Sequence, residues 1–159
     1  NNHIFRVFQD QKDKCGYDYR ALSLLTAADR LQHSSQVIVP ALNSGNVVIS
    51  DRYFYSCLAN LQARGYENDQ WIYDIAKKLP LPDVSFFLDI NVDEAIKRVR
   101  SRPNEKDRYI DIEMQHKLRD NYLKIAEEIG GVIINTDSTI DKSFEEIKNK
   151  INKLFFSRR

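Results

Sequence analysis

The chain is short of several things that would narrow its class at once. It has two cysteines in 159 residues, Cys15 and Cys57. They lie far apart without the spacing of a metal knuckle, so no disulfide framework is expected and a reducing, cytoplasmic setting fits. The three histidines, His3, His33 and His116, fall on different elements, which argues against a histidine-centred metal or catalytic site. No apolar run reaches the ~18 residues of a membrane helix, and the first residues form neither an apolar leader nor an Arg-rich presequence. Charge of one sign is also missing: 24 basic against 23 acidic side chains leave a net +1. No whole-molecule field therefore draws nucleic acid or a membrane surface, and any anion site must be local. Glycine is scarce, five in all, and none stands in the Gly-x-x-x-x-Gly-Lys-Ser/Thr arrangement that cradles nucleotide phosphates.

What is present is enough for one globular domain over residues 1–159, with 42% hydrophobic and 30% charged residues. Ile4, Phe5, Val7 and Phe8 recur at helical spacing and begin abruptly at Asn1, which is not an initiator methionine, so a preceding segment is expected. From Tyr19, the residues Leu22, Leu25, Ala28 and Leu31 predict a helix that Pro40 breaks or kinks. Val47-Val48-Ile49 reads as a short buried strand, with Asp51-Arg52-Tyr53 at its C-terminal end. Helical pattern returns over 55–64 and 68–78. It gives way to a second strand over 84–90 that carries Asp89 near its end. A helix capped by Asp93, a long helix over about 110–129 closed by Gly130-Gly131, a third strand over 132–134 and a last helix capped by Asp141 complete the pattern. Short apolar strands alternating with helices predict an α/β fold: a parallel sheet between helical layers, its ligand beyond the strand C-termini. Three strands are few for so many helices, which again points to strands outside this chain.

The chemistry is read first from Ser50-Asp51-Arg52-Tyr53. An arginine fork holds a phosphate bidentately, and a neighbouring carboxylate orients metal-bound water, so the pair suits a phosphorylated, Mg²⁺-linked ligand. The alternative is a structural Asp–Arg pair at a strand end. Ala27-Ala28-Asp29-Arg30 is a weaker signal, since charged dipeptides on helices are commonly solvated. The segment 97–109 gathers Lys97, Arg98, Arg100, Arg102, Lys106 and Arg108 around Pro103. It reads either as a basic lid or as a solvated patch open to nucleic acid, and the balanced charge speaks against the second.

Taken together, Ala27-Ala28-Asp29-Arg30, Ser50-Asp51-Arg52-Tyr53-Phe54-Tyr55-Ser56, Leu81-Pro82-Asp83-Val84, Phe87-Leu88-Asp89, Asp107-Arg108-Tyr109 and Asn121-Tyr122-Leu123 closely resemble the thymidylate kinase family over residues 4–155. The resemblance implies a P-loop nucleoside-monophosphate kinase fold and ATP- and Mg²⁺-dependent phosphorylation of dTMP or a related pyrimidine nucleotide. It implies a homodimer, with no nucleic acid or membrane as partner. It makes Arg52 the clamp on the acceptor phosphate and Asp51 its carboxylate neighbour near the metal. Arg30 would reach the base edge, while Tyr53, Ser56, Cys57 and Thr26 would line the nucleoside pocket. Arg98 would pack on adenine, Arg100 and Arg108 would serve ATP, and a lid arginine, represented by Arg102, would meet the transferring phosphoryl group.

The sequence departs from that pattern in identifiable places. The phosphate loop and the first strands are expected from a missing N-terminal piece, supplied by the uncut gene product, by another chain, or simply absent. Thr26 stands where an aromatic ring usually stacks on thymine, Asn60-Leu61 replaces a Tyr-Gln pair, with Gln62 and Arg64 close by, and Ile110 replaces a glutamate. The competing expectation is a non-catalytic nucleotide-binding protein descended from such a kinase after loss of the loop.

Overall fold

The computed structural model describes residues 18–156. The helix expected at residues 4–8, together with His3, Cys15 and the basic tail 157–159, lies outside the described residues. The chain divides into two units, residues 1–82 and 83–159, and each has its own buried cluster.

In the first unit, helix α1 (Tyr19–His33) starts at Asp18, whose carboxylate accepts from the Arg20 amide at 2.8 Å. This satisfies one of the orphan donors of the first turn. The helix does not break at Pro40. It passes through a π-helical turn, Ser34–Ile38, directly into α2 (Val39–Asn43). Proline offers no N–H and its ring crowds the carbonyl four residues back. The wide turn, in which the Val39 amide reaches the Ser34 carbonyl, makes room for it without ending the helix. The buried line follows Ser23, Ala27, Ser34 and Ile38, whereas Ala28, expected on the inner face, is exposed. Helix α3 (Phe54–Gln62) presents Phe54, Leu58, Ala59 and Leu61 to the core, and α4 (Gln70–Ala76) adds Ile72.

The buried strand expected at 47–49 is not formed. Val47 and Ile49 are 70% and 90% exposed in an irregular segment without ladder partners among the described residues. A β-branched run realises its preference only against a pleated neighbour.

The second unit holds a two-stranded parallel sheet. Strand β1 (Phe86–Asp89) pairs with β2 (Val132–Asn135), placing Phe86 opposite Val132 and Asp89 opposite Asn135. The expected three strands are thus two among the described residues. Helix α5 (Val92–Arg100) is capped by Asn91, whose side chain accepts from the Asp93 amide at 2.9 Å. Asp93, expected as the cap, sits instead in the first turn, where the helix dipole favours a carboxylate. A 3₁₀ turn, Pro103–Glu105, comes next, and then α6 (Ile112–Glu128), capped by Asp111. Helix α6 ends in a Schellman motif: Gly131 N bonds the Ala126 carbonyl at 2.7 Å, Gly130 N bonds that of Glu127 at 3.2 Å, and Gly130 takes φ 66°. Ile125, Ala126 and Ile134 are fully buried between α6 and the sheet. In α7 (Ile140–Phe156), the expected cap Asp141 lies in the first turn, and the Thr139 hydroxyl accepts from the Lys142 amide at 3.4 Å.

Candidate functional site

Asp51 and Arg52 occupy the bend that joins the exposed 46–50 segment to α3. Arg52 has φ 64°, alone among the described non-glycine residues in the left-handed region. That conformation costs about 1–3 kcal/mol for a residue with a Cβ and collects at ligand clamps. The Ser50 hydroxyl donates to the Arg52 carbonyl at 2.9 Å and pins the bend. The Arg52 guanidinium has no hydrogen bond or ion pair among the described residues, and the Asp51 carboxylate has none either. Both side chains are exposed. They are therefore not a structural pair: a strained turn presents an uncommitted cation beside an uncommitted anion.

Arg30, one turn from the end of α1, faces the start of α3. Its charge acts on the Tyr53 hydroxyl and on the Cys57 thiol, so these three side chains come together in one unit. Burial pushes the Tyr53 hydroxyl up, aided by Tyr55 and opposed by Arg30. Burial likewise raises the Cys57 thiol, with Arg30 pulling the other way. The Arg30 Nε is buried with no hydrogen-bond partner among the described residues. A buried donor left unmet costs about 1–3 kcal/mol, more when charged, and an acceptor on a ligand would recover it.

Other expected pocket residues are differently employed. The Thr26 hydroxyl donates to the Leu22 carbonyl at 2.9 Å, spending itself on its own helix. Ser56 is half-buried on α3, its carbonyl accepting from Asn60 Nδ2 at 2.8 Å. Leu61 is fully buried core. Arg64 donates to both the carbonyl and the side chain of Asn60 at 3.0 Å, and its guanidinium lies 3.4 Å from the centre of the Tyr19 ring. Asn60 and Arg64 thus hold each other and the start of α1.

The basic segment belongs to the second unit. Its first part is helix rather than loop: Lys97, Arg98 and Arg100 stand in the last turn of α5, where cations complement the dipole. Lys97 and Arg98 pair with Glu94 at 3.5 and 3.7 Å. Beyond the helix, Glu105 holds Arg102 at 3.6 Å and Arg108 at 3.3 Å. Arg100 and Lys106 are uncommitted among the described residues. All these contacts are exposed and individually weak, so an incoming polyphosphate can exchange them.

At the C-terminal ends of the strands lies a pair that sequence reasoning missed. Arg119 on α6 forks onto Asp89, with Nε to Oδ1 at 2.7 Å and Nη2 to Oδ2 at 2.8 Å. Hydrogen bonding from Arg119 holds the Asp89 carboxyl below its usual range against the opposing effect of burial. Asp89 was visible as a strand-end carboxylate, but its partner is 30 residues away and carried no local signal. No group of three metal-ligating side chains gathers among the described residues.

Comparisons with known proteins agree with one another. The family model described as Thymidylate kinase matches residues 6–151. A probable thymidylate kinase of Pyrococcus abyssi is 42% identical over 130 residues, 81% of this chain and 63% of the relative. Another from Thermococcus gammatolerans is 38% identical over 146 residues, 91% of this chain and 70% of the relative. A thymidylate kinase of Clostridium novyi is 36% identical over 146 residues, covering 86% and 71%. The match to the Pyrococcus abyssi protein therefore spans less than two thirds of that relative's own length.

Proposed function

This chain belongs to the thymidylate kinase family, and on that premise we propose that the protein transfers a phosphoryl group from ATP to a pyrimidine deoxynucleoside monophosphate, with dTMP the first candidate. The observation that carries the reading is Arg52, a cation unpaired among the described residues and held in a left-handed backbone beside a carboxylate equally unpaired there. Strain of that kind persists where the surroundings over-determine it, as at a ligand clamp. Arg52 grips the acceptor phosphate, and Arg30 offers its buried, unmet Nε to the base edge. Tyr53, Ser56 and Cys57 line the nucleoside, with Thr26 behind them. Arg98 stacks on the purine, Arg100 and Arg108 attend the ATP phosphates, and Arg102 releases Glu105 to neutralise charge that develops on the moving group.

Mg²⁺ is ordinarily held by one or two carboxylates together with water and substrate phosphate. Asp51, exposed and without an ion pair among the described residues, fits that donor set. When bound there, the metal would supply charge neutralisation for the transferring phosphate. The Gly-x-x-x-x-Gly-Lys loop that would cradle the ATP phosphates is not among these 159 residues. The contribution of this chain is acceptor binding, positioning and charge neutralisation. The three-layer sheet of the family, a cytoplasmic setting and a homodimer belong to the same proposal. The exposed Leu24, Val37, Val39 and Leu42 along α1, the wide turn and α2 offer a face for a second copy. No helix of the described residues is long and apolar enough to cross a membrane.

The test is a coupled assay of the complete gene product with ATP, Mg²⁺ and dTMP. Arg52→Ala should lower kcat/KM about 100-fold, the scale of losing one charge-stabilising donor, and Arg52→Lys should fall between. Diphosphate formation no greater than in the Arg52→Ala control would sink the kinase reading. Binding of dTMP without turnover would favour the nucleotide-binding descendant.

A further inference from the structure

The cations of the second unit are not equally held. Thr136, just past β2, is a hub: its amide and its hydroxyl both donate to the Asp89 carbonyl, at 2.8 and 2.9 Å, while its own carbonyl accepts from Arg98 Nη2 at 2.8 Å. The Asp89 side chain is locked by the two parallel bonds from Arg119, a geometry that fixes plane as well as position. Beside that bond, Glu94 Oε1 stands 3.7 Å from Nε. Hydrogen bonds to a guanidinium run along its edge and leave its faces open, and this side chain is 45% exposed. A planar cation anchored along its edge and open on its face can stack on a ring without first losing its own rotational freedom. None of the other cations in the segment 97–109 bonds to the strand ends among the described residues.

Resting on the reading of Arg98 as the platform for the purine ring, we infer that Arg119, Asp89 and Thr136 are positioning residues for that platform. Arg119 on α6 fixes residue 89 at the end of β1, the Asp89 carbonyl fixes Thr136, and the Thr136 carbonyl aims the guanidinium. Specific purine-nucleotide affinity is thereby built into the junction of β1, β2 and α6, at residues that need not touch the nucleotide.

The experiment is calorimetric titration of the complete gene product with Mg-ATP, accompanied by steady-state kinetics and thermal melts. Arg98→Ala, Arg119→Met, Arg119→Lys and Thr136→Val are compared singly, and Arg98→Ala is combined with Arg119→Met. Arg119→Met and Thr136→Val should weaken ATP binding about two- to fivefold, the value of an exposed cation–π platform, and raise KM for ATP in step. KM for dTMP and kcat should hold. Arg119→Lys, which keeps the charge but not the fork, should recover part of the loss. The double variant should be no weaker than Arg98→Ala alone, because both changes disable one device. The inference is overturned if Arg119→Met lowers the melting temperature and the active fraction while ATP affinity stays unchanged, or if the two losses add. If Arg98→Ala itself binds ATP normally, or if the wild-type protein binds none, the platform reading fails as well. The two failures are thus distinguishable.

Discussion

At position 52 the backbone and the side chain have opposite preferences. The φ of 64° suits glycine, whereas the proposed phosphate clamp requires a guanidinium. Arg52→Gly should therefore melt higher than Arg52→Ala, by about 1 kcal/mol of stability, while both lose dTMP binding. Equal melting of the two variants would remove the strain argument. Cys57 provides a second check at this scale. Burial raises its thiol above the ordinary range, so in a Cys15→Ser background it should alkylate far more slowly with iodoacetamide at pH 8 than the unfolded chain does. Arg30 and Arg52 could be singled out from the sequence because each lies in a short string that carries its own chemistry. The bond from Arg119 to Asp89 was not, since only the fold brings residues 30 apart together. The absorption of Arg64 by Asn60 and Tyr19 was hidden for the same reason.

Elements were legible to the extent that they stabilise themselves locally. Helical periodicity gave α3, α6 and α7 within a few residues, because one amphipathic face suffices to mark them. The run at Val47–Ile49 has the composition of a strand, but a strand depends on its neighbour, and none pairs with it among the described residues. The end of α6 shows how tightly one terminus can be specified. A Cβ on Gly131 would lie 2.6 Å from Phe87 Cε2 and 3.3 Å from the Ala126 carbonyl. Gly131→Ala should destabilise by about 1–3 kcal/mol through overpacking against β1, measured by urea denaturation. Asn91→Ala should cost about 1 kcal/mol by uncapping α5, and an unchanged denaturation midpoint would show that Asn91 does not cap it.

For the molecule as a whole, the near-balance of charge leaves pH stability to particular pairs. Because the Asp89 carboxyl titrates below its ordinary value in the folded state, protons bind the unfolded chain first. Its contribution is complete above the unfolded pKa and is lost as pH falls through the folded one. Asp89→Asn should therefore be less stable than wild type by about 1–3 kcal/mol at neutral pH, with the gap closing below about pH 4. A gap that widened in acid would contradict the assignment. The family was readable across most of the chain, while the pairing of only two strands among the described residues was not. Within residues 18–82, finally, the wide turn ahead of Pro40 sets a heading. Without the pyrrolidine ring, that turn can tighten to ordinary α pitch, swinging the chain beyond it by about 100° per residue removed. The Asp51-Arg52 bend lies just downstream, so one pyrrolidine ring, eleven or twelve positions earlier in the chain, steers the direction in which that bend is launched.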